Sequence, residues 1–158
     1  MPEFTESLIA HNQALLNSYR SHLGIELIDR SGSLLEQSQR LWHAPIVVLS
    51  HDGQADPIFT YGNQLALDLW EFDWESFIQL PSRLSAEPDA QADRDRLLAE
   101  AKAQGYIQNY QGIRRSRSGV RFWIENVTLW SFPNHASQKD ASQTIAQAAT
   151  FSNWRVIP

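Results

Sequence analysis

The chain has 158 residues, 42% of them hydrophobic and 20% charged, with a formal net charge of −5. That length and apolar fraction fit one domain with its own core and exclude a wholly disordered chain. The acidic balance argues against nucleic-acid or anionic-membrane partners. The absence of cysteine removes thiol nucleophiles, cysteine-ligated zinc, iron–sulfur clusters and flavin–cysteine photoadducts.

In chain order, Leu8, Leu15, Leu16, Tyr19 and Leu23 recur at helical spacing and Gly24 offers a stop, so residues 6–23 are predicted as an amphipathic helix. Ser33 and Glu36 have capping-box spacing ahead of a short helix from about Leu34 to Trp42, with Leu34, Leu35, Leu41 and Trp42 as its apolar face. Pro45 ends it. "IVVL" (46–49) reads as a buried strand and "IFTY" (58–61) as the next. Gly62 then breaks the chain and Asn63 is suited to cap a helix whose buried side carries Leu65, Ala66, Leu69 and Trp70. Asp73 caps a shorter helix with Trp74, Phe77 and Ile78, ended by Pro81. "DAQADRDRLLAEAKAQG" is a helix with early acids, a late lysine and a terminal glycine, as the helix dipole favours.

After Gly105 the period changes. "YIQNYQGIRR" and "VRFWIENVTLWSF" are two long strands joined by the turn "SRSG", "PNHASQKDASQ" is an exposed loop, and "TIAQAATFSNW" is the last strand. The predicted strands lie at 45–50, 57–61, 106–115, 120–131 and 144–154. They make an α+β domain, a five-stranded antiparallel sheet with helices on one face. Strict alternation would place Phe122, Ile124 and Trp130 on one face of the fourth strand and Trp123, Val127 and Leu129 on the other. The segment 1–44 supplies helices to cover the second face, and 45–158 forms the core, all within one domain.

The stretches "VVLSHDGQADPIFTYGNQLALDLWEFDWESFIQLPSRLSAEP", "QGYIQNYQGIRRSRSGVRFWIENVTLW" and "QAATFSNW" resemble the MEKHLA domain, a PAS-related family. It is found alone in bacteria, notably cyanobacteria, and at the C-terminus of plant class III homeodomain–leucine zipper transcription factors. The resemblance covers about Leu15 to Trp154. It implies a PAS-like sheet with spatial strand order second, first, fifth, fourth, third, and a sensory or regulatory role. It supplies no catalytic residues. Asn63 matches the Asn that many PAS domains place at the start of the helix after the second strand.

Six tryptophans, at 42, 70, 74, 123, 130 and 154, are many for this length. They fill a core or line a small apolar pocket between sheet and helices. The ligand-pocket candidates are Tyr61, Asn63, Trp70, Trp74, Phe77, Tyr110, Trp123, Asn126, Trp130 and Phe151, with Asn126 as the leading polar group. Asp68, Glu71, Asp73 and Glu75 read as a solvated helix end, and the five histidines show no metal spacing. Arg114, Arg115, Arg117 and Arg121 read as a solvated hairpin end, with a docking patch for an acidic partner or phosphate as the alternative.

No enzyme activity, metal or cofactor is expected. The expectation is a regulatory domain that binds a small, mostly apolar molecule and signals through protein contacts; the competing reading is a protein-interaction module with a filled core. A homodimer is expected through Leu8, Leu15, Tyr19 and Leu23, with a further protein partner as the other option. The start, "MPEFTESLIAHNQ", has no basic leader and no stretch is apolar enough to span a bilayer, so a soluble cytoplasmic protein is expected.

Overall fold

A computed structural model describes residues 1–133 and 145–158; of the loop expected at 133–143, Pro133 is instead the last residue of a strand and the rest lies outside the described residues. The helices start where local chemistry directs. The Oγ1 of Thr5 accepts from the Leu8 N–H at 3.1 Å and opens α1 (Glu6–Leu23), which Gly24 closes with φ of 77°. Ser33 and Glu36 form the expected capping box of α2 (Leu34–Trp42). Asn63 caps α3 (Gln64–Trp70) and Asp73 caps α4 (Trp74–Phe77). A 3-10 turn at Ser82–Ser85 leads to α5 (Pro88–Gln104), with proline at its first position, where no N–H is needed.

The strands are β1 (Val47–His51), β2 (Phe59–Gly62), β3 (Tyr106–Arg115), β4 (Arg121–Pro133), β5 (Ile145–Phe151) and β6 (Asn153–Val156). They form one antiparallel sheet in the order β2-β1-β5-β4-β3, with β6 also paired to β4. The expected final strand is therefore divided at Ser152. Its two parts lie along β4 in one continuing register, from Pro133↔Ile145 through Thr128↔Thr150 to Phe122↔Val156.

The inner face of the sheet meets α3, α4 and α5. Leu49, Phe59, Trp70, Phe77, Phe122, Val127 and Phe151 belong to one core there. The outer face meets α1 and α2, where Leu8, Leu15, Leu16, Tyr19 and Leu41 pack on Val48, Tyr61, Trp130, Phe132, Ala146 and Ala148. Leu34 and Leu35 do not share in this packing. They are 54% and 42% exposed, and Ser38 and Gln37 turn inward beside Leu41 and Trp42 instead.

The expected alternation along β4 fails at Asn126, whose φ is 53°. The pairs Gly112↔Ile124 and Tyr110↔Val127 set three residues of β4 against two of β3, a bulge. Asn109, at φ 58°, is the matching irregularity in β3, between Ile107↔Leu129 and Tyr110↔Val127. Asn tolerates this left-handed backbone better than most residues. Phe122 and Ile124 thus share the inner face with Val127 and Leu129, whereas Trp130 points outward. Trp123, between two inward residues, is half-buried and lines a surface groove beside Glu87, Asp93 and Leu97.

Candidate functional site

At the centre of the inner face, a partly open cavity of about 50 Å³ lies between the sheet and Trp70 of α3, the 3-10 turn and α5. Its walls are mostly apolar: Trp70, Tyr110, Ile124, Val127, Leu129 and Phe151 contribute, with Leu49 and Phe59 from the far strands. Trp70 is held by T-shaped contacts with Phe122 at 5.1 Å and Phe151 at 6.1 Å, and its Nε1–H donates to the Ser85 carbonyl at 3.4 Å.

Polar side chains interrupt this lining, among them Ser85, whose hydroxyl donates to the Ser82 carbonyl at 2.7 Å. Gln147 donates from Nε2 to the Leu98 carbonyl at 2.8 Å, tying β5 to α5. His51 is 5% exposed; its Nδ1–H donates to the Asp52 carbonyl at 2.8 Å, and its Nε2 has no partner among the described residues. Burial pulls His51 down to a pKa of about 4, so at neutral pH the ring is uncharged and its Nε2 is a lone-pair acceptor. Arg94 and Arg114 are each 6% exposed. Arg94 bonds Asp95 at 3.1 Å and donates to the Ser82 hydroxyl, and burial lowers its pKa. Arg114 donates to the Ile113 carbonyl at 2.8 Å and stacks over the Tyr110 ring at 5.5 Å. Burial first, then the charge of Arg94, pushes Arg114 down to about 9.

Trp70, Tyr110 and Phe151 among the sequence candidates line this cavity. Phe77 is buried beside it but spends its ring on Phe59, stacked at 4.3 Å. Tyr61 and Trp130 belong to the outer core, where Tyr61 meets His11 and Trp130 meets Tyr19. Trp74 is half-buried against Trp42 and Tyr61. Trp123 is half-exposed, and Asn126, the leading polar candidate, is exposed because the bulge turns it away from the core.

Asn63 is fully buried as a structural junction. Its Oδ1 accepts from Val48 N–H at 3.1 Å and Ala66 N–H at 3.2 Å, and its Nδ2 donates to the Ile46 and Leu41 carbonyls at 2.8 and 3.2 Å. Leu8, Leu15 and Tyr19, the expected dimer contacts, are buried on the chain's own sheet with Leu23 packed beside them. As placed, these residues are occupied within one chain.

His51, Arg94 and Arg114 were absent from the sequence candidates, and Arg114 had been assigned to a solvated hairpin end. Each carried a signal. His51 follows Val47 and Leu49 at strand period, and Arg114 follows Tyr110 and Gly112 in the same way. Arg94, Leu98 and Ala101 share one helix face.

Solved structures similar to this chain include PAS domains. One, from Colwellia psychrerythraea, superposes with a TM-score of 0.60 at 17% identity, over 78% of this chain and 96% of that one. Another, from a two-component sensor histidine kinase, gives 0.54 at 13% identity over 75% of this chain and 91% of that one. At such identities the likeness establishes the fold, a PAS-like α+β sandwich.

Among curated sequences, the homeobox-leucine zipper protein ATHB-8 of Arabidopsis thaliana is 40% identical over 94% of this chain, and HOX10 of Oryza sativa subsp. indica is 26% identical over 89%. The chain spans only 17% and 16% of those two proteins' lengths. The MEKHLA domain family itself matches residues 9–156, from the second turn of α1 to the end of β6. With both covering helices, the whole sheet and the cavity inside the match, the chain belongs to the MEKHLA domain family.

Proposed function

We propose that this MEKHLA domain is a sensory module in which a small, mostly apolar molecule enters the space between the sheet and α3–α5 and alters the domain's contacts with other proteins. The partly open, mostly apolar cavity at the centre of the inner face carries this reading. An aromatic and aliphatic wall with a few polar groups is the usual chemistry of a small-molecule site. Trp70 of α3, the 3-10 turn and α5 form one wall, so a ligand that repositions Trp70 would shift α3 against the sheet. No catalytic step is part of this reading.

The cavity is small beside the 300–1,000 Å³ of drug-sized sites. That observation favours a second reading, a module with a nearly filled core whose partner is another protein or a second copy of itself. Exposed Ile25 and Leu34, at 62% and 54%, flank the N-terminal helices and supply apolar surface for either partner. Native mass spectrometry of the protein purified from its source separates the readings. A retained small-molecule mass supports the sensor; a ligand-free protein that also binds nothing from a panel of small aromatic and aliphatic compounds rejects it. The same spectra give the oligomeric state, and a monomer at tens of micromolar rejects the homodimer.

A further inference from the structure

Two buried guanidinium groups in one largely apolar cavity are costly to keep. Desolvating a cation is unfavourable, and two like charges side by side add repulsion. Asp95, the acid paired with Arg94, is 68% exposed, so its charge is screened by water and offsets little of this. Arg114 has five N–H donors, and its single hydrogen bond among the described residues goes to the adjacent Ile113 carbonyl. His51, Arg94 and Arg114 all line this one space, and the charge of Arg94 acts on both of the others, while Asp56 acts on Arg94 and Asp93 on Arg114 in the opposite sense. His51 presents the unpartnered Nε2, a second polar atom with nothing to bond.

We propose that this cavity is a receptor for the carboxylate of a small organic acid, held by the guanidinium groups of Arg114 and Arg94, with His51 Nε2 accepting a hydrogen bond from a hydroxyl next to that carboxylate. Arginine is suited to this role because its planar fork matches a carboxylate's two oxygens. Seating the anion there relieves the repulsion between the two cations. The apolar wall formed by Trp70, Val127 and Phe151 takes the hydrocarbon end of the acid. A dry cavity of about 150 Å³ accepts the six heavy atoms of benzene; at that packing a space of about 50 Å³ holds about two, so acetate or glycolate enters only as Trp70 and the helical wall move apart from the sheet. The inference rests on the sensory reading above and puts a small organic anion in place of its mostly apolar ligand.

The test is isothermal titration and NMR of the full chain with acetate, glycolate and propionate at fixed ionic strength. Chloride and acetamide serve as controls, and indole and toluene as neutral apolar probes. The inference expects acetate and glycolate to shift the Trp70 indole N–H and Tyr110 resonances, with glycolate binding more tightly. Arg114→Met should weaken binding at least tenfold, and Arg114→Lys, which keeps the charge but loses the fork, should fall between. Amide spectra of both variants report whether the fold persists, and Arg94→Lys supplies the second arm if Arg114→Met does not fold. Binding of indole or toluene without any carboxylate overturns this inference and leaves the sensory reading standing. Binding of no probe overturns both. Equal affinity for acetate and glycolate removes the role given to His51 alone.

Discussion

The two faces of the sheet are built from the same strands and behave as opposites. The outer face is sealed by α1, with Trp130 fully buried, Tyr19 edge-on to it at 5.0 Å, and its Nε1–H on the Ser18 hydroxyl at 2.9 Å. The polar groups there are neutral: His11 bonds Ser50 and Asn12 donates to Ser38, while Asn12 Oδ1 and the Tyr61 hydroxyl have no partner among the described residues. The inner face has equally large aromatic rings, yet keeps a void and two guanidinium groups. The difference teaches that burial alone does not mark a structural core. A face selected only for stability has no reason to hold Arg94 and Arg114 out of water, since apolar residues of similar volume pack there at less cost.

The largest way to test the contrast is to truncate the sealed side. Trp130→Ala is expected to lower stability by about 4 kcal/mol, the usual range for a buried tryptophan, read as the urea midpoint at constant m. A loss under about 1 kcal/mol would mean that α1 does not depend on this contact. Next, Asn63→Ala removes a helix cap and leaves the Val48 N–H and two carbonyls without partners. About 3 kcal/mol should be lost by the same assay. Asn63→Asp retains the acceptor and should restore part of it.

Acid sharpens the comparison. His51 has a folded pKa of about 4 against 6.5 in the unfolded chain. Between those values the unfolded chain binds a proton that the folded one refuses. The stability this histidine contributes is therefore fully present above about pH 6.5 and is lost as pH falls to about 4, up to about 3 kcal/mol in all. His51→Gln should flatten this part of the stability–pH curve; an unchanged curve would show that the ring is not charged on unfolding in this range. His11 on the outer face is lowered to about 4 by the same cause, so His11→Gln should have a parallel effect. The smallest effect is expected from Arg114→Met without ligand. It should leave stability unchanged or raise it by about 1 kcal/mol, whereas loss of an ordinary core contact would lower it.

Much of this architecture was legible because local signals agreed with the global pattern. Ser33 with Glu36, Asn63, Asp73 and Gly24 each mark a helix boundary through an unpaired backbone group, and the runs Val47–Leu49 and Tyr106–Arg115 mark strands. The division of the last strand at Ser152 and the placement of Trp130 were not legible. Both follow from backbone irregularities that no side-chain period announces, and Asn109 and Asn126 look like ordinary polar strand residues. The site was read in half. Aromatic residues suggested the apolar wall, but Arg114 sits in a run of arginines whose other members reach water, and counting charge along the chain hides the one that alternation turns inward.

The irregularities at Asn109, Asn126 and Ser152 lie side by side across three adjoining strands. Ile107 and Tyr110, Ile124 and Val127, and Phe151 and Trp154 are three residues apart, yet each pair packs into the same inner core. The sheet thus carries the equivalent of a dislocation line, one extra residue per strand along a single row. Its consequence is genetic. Losing the codon for Asn126 alone would turn Val127, Leu129 and Trp130 to the wrong faces, much as a shifted reading frame scrambles all that lies downstream. Losing Asn109 and Ser152 as well would bring the three strands back into step, so each deletion should act as a partial suppressor of the others.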